Sequence, residues 1–273
     1  MSSFRSDLVQ GRVALVTGGG TGIGKQIARG LGQHGARLAI CGRRLDVLEA
    51  TAAEFAAEGL DCLALACDVR KPDQVEAVLR GVLGRHGRLD IVVNNAAGNF
   101  PAPISGISPN GFRAVVDIDL LGTYHVSRAA FDAWLREHGG NIVNISAAFE
   151  GMGVAFQSHV AAAKSGVDSL TRSCAVEWGP FGIRVNAIAP GAIAQTEGMD
   201  RIARSGLGIR GRGPVCPLGR EGSVDDIAHC ALFLVSDAAR YITGQVIAVD
   251  GGSSVDLLKL RPAAPGDPAR SGE

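Results

Sequence analysis

The sequence predicts a single α/β domain built on a doubly wound, mostly parallel sheet with helices on both faces. Three observations carry this. Seven short apolar runs alternate with stretches of helical period, most of those runs are continuous in polarity, and a glycine-rich turn follows the first of them. Continuous apolar runs are the pattern of strands covered on both faces. Strict strand–helix alternation then requires right-handed crossovers between parallel neighbours.

Taken in order, strands are expected at Val13–Thr17, Arg37–Cys41, Cys62–Ala66, Ile91–Asn94, Asn141–Ser146, Arg184–Ile188 and Gln245–Val249. Helices are expected near 22–34, 44–58, 72–86, 111–137, 155–178 and 224–236. Start signals support several of these: Asp46 in a first turn, Pro72 at a first-turn position, and Ser223 ahead of Val224-Asp225-Asp226. Residues 190–222, rich in Gly, Arg and Pro, show no period. Following a late strand, they fall at the carboxyl edge of the sheet, where they read either as a substrate loop or as a plain surface loop. Residues 1–10 read as an N-terminal extension, 11–257 as the domain, and 258–273 as a disordered tail.

The chain has 273 residues, 46% of them apolar, which is enough for one large core. Lys and Arg (27) balance Asp and Glu (27), which argues against a nucleic-acid partner, since such binders carry a basic excess. No run of about 18 apolar residues is present to span a membrane. The segment MSSFRSDLVQGR lacks the apolar centre of a secretory signal, and Ser271-Gly272-Glu273 is not a peroxisomal address, so a cytoplasmic protein is expected. Six cysteines form no CxxC, the nearest pair being Cys62 and Cys67, and read as small buried hydrophobes. The six histidines are scattered singly, so no metal is expected.

Thr17-Gly18-Gly19-Gly20-Thr21-Gly22-Ile23-Gly24 lies between the first strand and the first helix. Glycines there permit a tight turn and close approach of a pyrophosphate, and the helix N-terminus offers unpaired N–H groups. Gly18, Gly20, Thr21, Gly22, Ile23 and Gly24 are therefore candidate cofactor contacts. At the end of the second strand, where an NAD-binding chain commonly carries a carboxylate, this chain has Cys41-Gly42-Arg43-Arg44. Arg43 and Arg44 would bind a 2′-phosphate, which favours NADPH, with Arg44 alternatively a solvated residue at a helix start. Asp68 would lie near the adenine or cap a turn.

TGGGTGIG at 17–24, NNAAG at 94–98, Asp68-Val69, and Pro190-Gly191 after RVNAIAP resemble the short-chain dehydrogenase/reductase family over roughly residues 10–252. The resemblance implies a Rossmann-type domain with seven parallel strands, a homotetramer, and a nicotinamide lying over 94–98 and 190–196. It also implies Val69, Asn95, Ala96, Gly98, Lys164, Pro190, Gly191, Ile193 and Thr196 as cofactor contacts.

Against that family's pattern the catalytic positions depart. Lys164 in AAAKSGVDSL matches the lysine of a Tyr-x-x-x-Lys pair, but the tyrosine position is Val160. The serine position is Ala147, with Ser146 one residue off and so turned to the other face, and the asparagine position is Asp119. Of the two tyrosines, Tyr124 lies about 140° around an α-helix from Asp119, and Tyr241 is remote in sequence. His159, beside the vacant position, would point off it and reads as solvated or hydrogen-bonded. Direct protonation of a ketone by a phenol is thus ruled out.

A double bond conjugated to a thioester needs no phenol. Hydride adds at the remote carbon, the charge collects on the thioester oxygen, and oxyanion donors are each worth roughly 3 kcal/mol. A carbon then takes a proton, which Asp119 and Lys164 would relay through water. The residues Asn94–Phe100, Val116–Asp119, His159–Lys164, Ala175–Pro180 and Thr196-Glu197-Gly198 are similar to the peroxisomal-type 2,4-dienoyl-CoA reductases, a branch of the same family.

That branch implies NADPH-dependent reduction of trans-2,4-dienoyl-CoA to trans-3-enoyl-CoA. Asp119 would be the acid/base and Lys164 the group holding the nicotinamide ribose. Arg43, Arg70, Phe100, Ser108, Asn110 and Arg201 would contact the acyl-CoA, and Asp117 would face solvent. Two other readings stay open: a trans-2-enoyl-CoA reductase or other NADP-dependent reductase, and an inactive NADPH-binding scaffold.

Overall fold

The computed structural model describes residues 4–148, 153–194, 196 and 216–256. Seven strands form one sheet: β1 (Val13–Thr17), β2 (Arg37–Gly42), β3 (Cys62–Ala66), β4 (Ile91–Asn94), β5 (Gly140–Ile145), β6 (Ile183–Pro190) and β7 (Val246–Val249). Their order is β3-β2-β1-β4-β5-β6-β7, and every neighbouring pair is parallel. The winding reverses between β1 and β4, which opens a crevice beyond the carboxyl ends of those strands. Expected and observed strands agree to within about two residues; β6 runs on through Pro190 because Gly191 N–H continues the ladder to Val249.

Alternate residues of the strands feed two cores. Ala14, Val16, Leu38, Ile40, Ile91, Val93 and Val143 face one, while Val13, Leu15, Ala39, Val92, Ile142 and Val185 face the other. Helices α1 (Gly22–Gln33) and α8 (Val224–Val235) pack together over the first face; α3 (Pro72–His86) packs on α5 (Gly122–Ala130) over the second. Helix α2 (Leu45–Ala57) closes the β2–β3 side, burying Leu48 and Phe55. A period of two that is apolar on both sides is the physical reason the runs looked continuous.

The start signals act as expected. Ser223 and Asp226 make a reciprocal capping box at α8, Pro72 occupies the first turn of α3, and Asp46 sits in the first turn of α2. The N-terminal boundary needs correction. Val9 is 1% exposed, its N–H donates to the His34 carbonyl, and Phe4 and Leu8 pack on the same core, so the domain begins before residue 11.

The helix expected over 111–137 is interrupted. It runs as α4 (Pro109–Val116), a π-turn (Asp117–Leu121), α5, a second π-turn (Phe131–Leu135) and α6 (Arg136–His138). A π-turn inserts a residue into the helical register and re-aims side chains, so a uniform 3.6-residue period fails across Asp119. Helix α7 (Ser158–Trp178) starts later than expected, after Phe156 adopts a φ of 66°. The boundary at 258 and most of 190–222 lie outside the described residues.

Candidate active site

Thr17 ends β1 and is the hub that joins the glycine turn to the 95–98 loop. Its hydroxyl accepts from the N–H groups of Asn95 (2.9 Å) and Ala96 (3.0 Å), while Asn95 Nδ2 donates to the carbonyls of Thr17 and Gly18. Gly18 (φ 64°) and Gly22 (φ 53°) take left-handed backbone conformations. A Cβ on Gly24 would stand 2.3 Å from Asn95 Nδ2 and 2.5 Å from the Gly18 carbonyl, so only glycine lets helix and loop close.

Beyond the carboxyl ends of β1, β2 and β4 lies a cleft of about 300 Å³. Of the cofactor candidates, Gly18, Gly20, Thr21, Gly22, Ile23, Arg43, Arg44, Asp68, Val69, Asn95, Ala96, Gly98 and Thr196 line it. Gly42, Val47, Leu48, Cys67, Ala97 and Ile118 also line it and were missed; for Gly42, Cys67, Val47 and Leu48 their place at strand ends and in the first turn of α2 was the available signal. No side chain caps α1 at Thr21, and open space adjoins Gly22, so the N-terminal amides face the cleft free of protein acceptors from that residue. This fits a pyrophosphate.

Five cofactor candidates stand elsewhere. Gly24 supports the turn from behind. Pro190, Gly191 and Ile193 form a packed strut: Gly191 abuts Asp250, and Ile193 is 3% exposed in the first core. The strut delivers Thr196, whose hydroxyl donates to the Ile193 carbonyl, to the cleft. Lys164 lies deeper, beneath the 95–98 loop's partner Asp119.

The π-turn buries Asp119 completely. Oδ1 accepts from Gly98 N–H at 2.7 Å, Oδ2 lies 3.3 Å from Lys164 Nζ, and the Asp119 carbonyl accepts from Thr123 Oγ1. Lys164 Nζ also donates to the Ile145 carbonyl at 2.8 Å. Beneath them is a buried polar chain absent from the sequence reading: Asn94 Nδ2 donates to Ser127 Oγ and Asn144 Oδ1, and Asn144 Nδ2 donates to Thr171 Oγ1. It ties β4, β5, α5 and α7 into one platform.

Val160 packs into an apolar cluster with Val115 and Ala163. Neither tyrosine replaces the missing phenol. Tyr124 is 45% exposed in a groove beside α3, and Tyr241 is wholly exposed. Ser146 lies just past β5, with its hydroxyl toward the Lys164 carbonyl at 3.5 Å.

His159 corrects its expectation. It is 0% exposed, so it is not solvated, and neither ring nitrogen makes a well-formed hydrogen bond, the Phe100 backbone being the polar group that approaches it. Burial pushes its pKa down, partly opposed by the Phe100 backbone and the Asp119 carboxylate. The closest thiol pairing is also different from the sequence's. Cys41 and Cys67, on neighbouring strand ends, interact with each other, whereas burial, helped by the Asp61 charge, pushes Cys62 up to about 12.

Among the acyl-CoA candidates, Arg43 is exposed at the cleft and Phe100 is 37% exposed over His159. Arg70 forms a two-pronged ion pair with Asp68, with Asp117 adding to the local negative charge. That pair holds the Asp68 carboxyl below its ordinary range, so Asp68 acts through Arg70 as well as toward the cleft. Ser108 is an N-cap, its hydroxyl accepting from Gly111 N–H, and Asn110 is exposed on the following turn. Arg201, with Glu197 and Gly198, lies outside the described residues. Among the described residues no group of three or more His, Cys, Asp or Glu is placed to hold a metal, and no helix is long and apolar enough to cross a membrane.

A glycine turn at the switch point, a strut after β6 and a lysine on the helix after β5 define a nicotinamide-dependent oxidoreductase. The chain belongs to the short-chain dehydrogenase/reductase family; a family model described as enoyl-(acyl carrier protein) reductase matches residues 18–254. It is 46% identical over 255 residues to the rat peroxisomal 2,4-dienoyl-CoA reductase [(3E)-enoyl-CoA-producing], covering 93% of this chain and 87% of that one. It is 40% identical to a probable 2,4-dienoyl-CoA reductase [(2E)-enoyl-CoA-producing] of Bacillus subtilis, covering 88% and 96%. Among solved structures it is similar to a citronellol catabolism dehydrogenase of Pseudomonas aeruginosa, with TM-score 0.82, 38% identity and 93% and 99% coverage. An actinorhodin polyketide ketoreductase with NADPH gives TM-score 0.84 at 30% identity, with 89% and 97% coverage.

Proposed function

We propose that this protein reduces a 2,4-dienoyl-CoA thioester to the trans-3-enoyl-CoA with NADPH as the reductant. The observation that carries the reading is the replacement of the phenol by a buried carboxylate–ammonium pair. Val160 sits in an apolar cluster, while Asp119 and Lys164 lie 3.3 Å apart next to the Gly98 backbone. A site that protonates carbon needs a water-fed carboxyl group more than a phenol. The names of the relatives support the same substrate class.

Gly18–Gly24 would hold the pyrophosphate, Arg43 and Arg44 a 2′-phosphate, and Val69, Asn95, Ala96 and Thr196 the adenosine and nicotinamide ends. The cofactor supplies a hydride to the remote carbon of the diene. Lys164 donates one N–H to the Ile145 carbonyl and stands in an ion pair with Asp119, which would leave donor capacity for the nicotinamide ribose. Asp119, fixed by Gly98, would return a proton to the α-carbon through water. Phe100, Ser108, Asn110, Arg70 and Arg201 would seat the acyl-CoA, and the active assembly would be a cytoplasmic homotetramer.

The test is NADPH consumption with 2,4-hexadienoyl-CoA, crotonyl-CoA and a 3-ketoacyl-CoA side by side, with NMR of the product. Turnover of the diene to the 3-enoyl thioester is expected. A 2-enoyl product would place the chain with the Bacillus relative's named reaction, turnover of the ketone alone would refute the reading, and no turnover would favour a scaffold.

A further inference from the structure

His159 is a buried titratable side chain at the reaction end with no task in the proposed reaction. It stands one residue before Val160, in the first turn of α7, and is 0% exposed. Neither Nδ1 nor Nε2 makes a well-formed hydrogen bond among the described residues, although the Phe100 backbone lies near enough to act on the ring. Buried imidazoles ordinarily satisfy at least one nitrogen, and an orphan at a reacting centre is a place reserved for a partner that arrives later.

What covers it is aromatic. The Phe100 ring lies 4.4 Å from it, tilted by 53°, and Phe112 stands 6.4 Å away on α4. Phe100 is itself 37% exposed, so one ring separates the imidazole from the open side of the site. Gly111 makes room for that ring, since a Cβ there would stand 3.2 Å from Phe100 Cζ. Removing Phe100 from its place would leave His159 facing the substrate side, next to the Asp119 carboxylate.

We propose that His159 is a catalytic residue: its ring N–H donates to the thioester oxygen of the acyl-CoA once the acyl chain displaces the Phe100 ring. This rests on the dienoyl-CoA reading. Hydride addition at the δ-carbon moves an electron pair through the diene, so that the thioester oxygen carries the negative charge. His159 holds that oxygen by hydrogen bonding and keeps its own proton. The α-carbon then takes a proton from water, the carbonyl re-forms, and a double bond remains between the β- and γ-carbons.

A neutral imidazole suits this task. Burial lowers its pKa, so it is uncharged at neutral pH and offers one donor without being an acid strong enough to trap the enolate as an enol. It also answers the loss of the phenol, which in a ketone reductase would be the donor to oxygen.

The full chain with NADPH and 2,4-hexadienoyl-CoA tests this through His159→Phe and His159→Gln. Phe fills the aromatic site without a donor, and Gln restores a neutral donor. His159→Phe is expected to lower kcat about 100-fold with KM changed less than threefold, and His159→Gln to recover at least tenfold of that. NADPH affinity should stay within twofold in both. Unchanged kcat in His159→Phe, equal losses in both variants, or a loss that follows NADPH affinity would each overturn the proposal.

A second readout is independent of folding of the variants. In Phe100→Ala, diethyl pyrocarbonate should modify His159 at least tenfold faster than in the unaltered protein, and hexadienoyl-CoA should protect it. Absence of either effect overturns the proposal. Turnover of hexadienoyl-CoA by the unaltered protein separately tests the reading beneath it.

Discussion

Asp119 Oδ2 and Lys164 Nζ stand 3.3 Å apart with both side chains buried, joining the π-turn of the interrupted helix to the second turn of α7. Neither charge has solvent to fall back on. The pair is held by Gly98 N–H on one side and the Ile145 carbonyl on the other.

Removing one member strands the other. Lys164→Met is expected to destabilise the fold by about 3–5 kcal/mol, because the buried carboxylate loses its counter-charge, whereas the double variant Asp119→Asn/Lys164→Met recovers most of that. Urea unfolding of the four proteins completes the cycle. Additive losses would show that the two charges do not interact.

Asp119→Asn keeps the shape and loses the proton. Its kcat with hexadienoyl-CoA should fall about 10²–10⁴-fold while KM moves little, as expected for general acid–base loss. Steady-state kinetics at several pH values check this; an unchanged kcat means the proton reaches carbon by another route.

Arg43 is exposed at the cleft, beside a β2 end that bears no carboxylate. Arg43→Ala should raise KM for NADPH by about 10–100-fold, in keeping with about 1.5–3 kcal/mol for a charge-assisted hydrogen bond, and leave KM for NADH nearly unchanged. Parallel titrations with the two cofactors decide it. Equal effects would remove the 2′-phosphate assignment.

Val160→Tyr restores the residue that ketone reductases use but places it in the Val115–Ala163 cluster. Overpacking should cost about 1–3 kcal/mol, and with Ala147 in place of the serine no ketone turnover should appear. Thermal unfolding and a 3-ketoacyl-CoA assay test both halves.

The Asp226 carboxyl is held far below its usual range, first by the Arg220 guanidinium and then by the Ser223 backbone. A carboxyl depressed in the folded state contributes stability above its unfolded pKa of about 3.9, and loses it as pH falls below that toward the folded value. Asp226→Asn should therefore destabilise at pH 7 and approach the unaltered protein in acid. Denaturant unfolding across that range reads the convergence.

Much of the site was legible because it depends on local rules. The Gly18–Gly24 turn needs residues without Cβ atoms at positive φ or close approach, and Arg43 follows a strand end whose position is set by alternation. His159 was not legible. A histidine next to Val160 looks the same in sequence whether it meets water or an aromatic lid, and Phe100 reaches it from a loop some sixty residues earlier.

The order of apolar runs and glycines determined by itself that this chain would build a parallel, doubly wound sheet with a dinucleotide turn at its first crossover, since periodicity and backbone sterics act over a few residues. Tertiary structure alone decided what the reaction end contains. The π-turn shifts helical register at Asp119, and the meeting of that turn with α7 sets Lys164, Val160 and His159 around one point. Burial and pairing there are properties of surfaces brought together from distant parts of the chain, which no local pattern encodes.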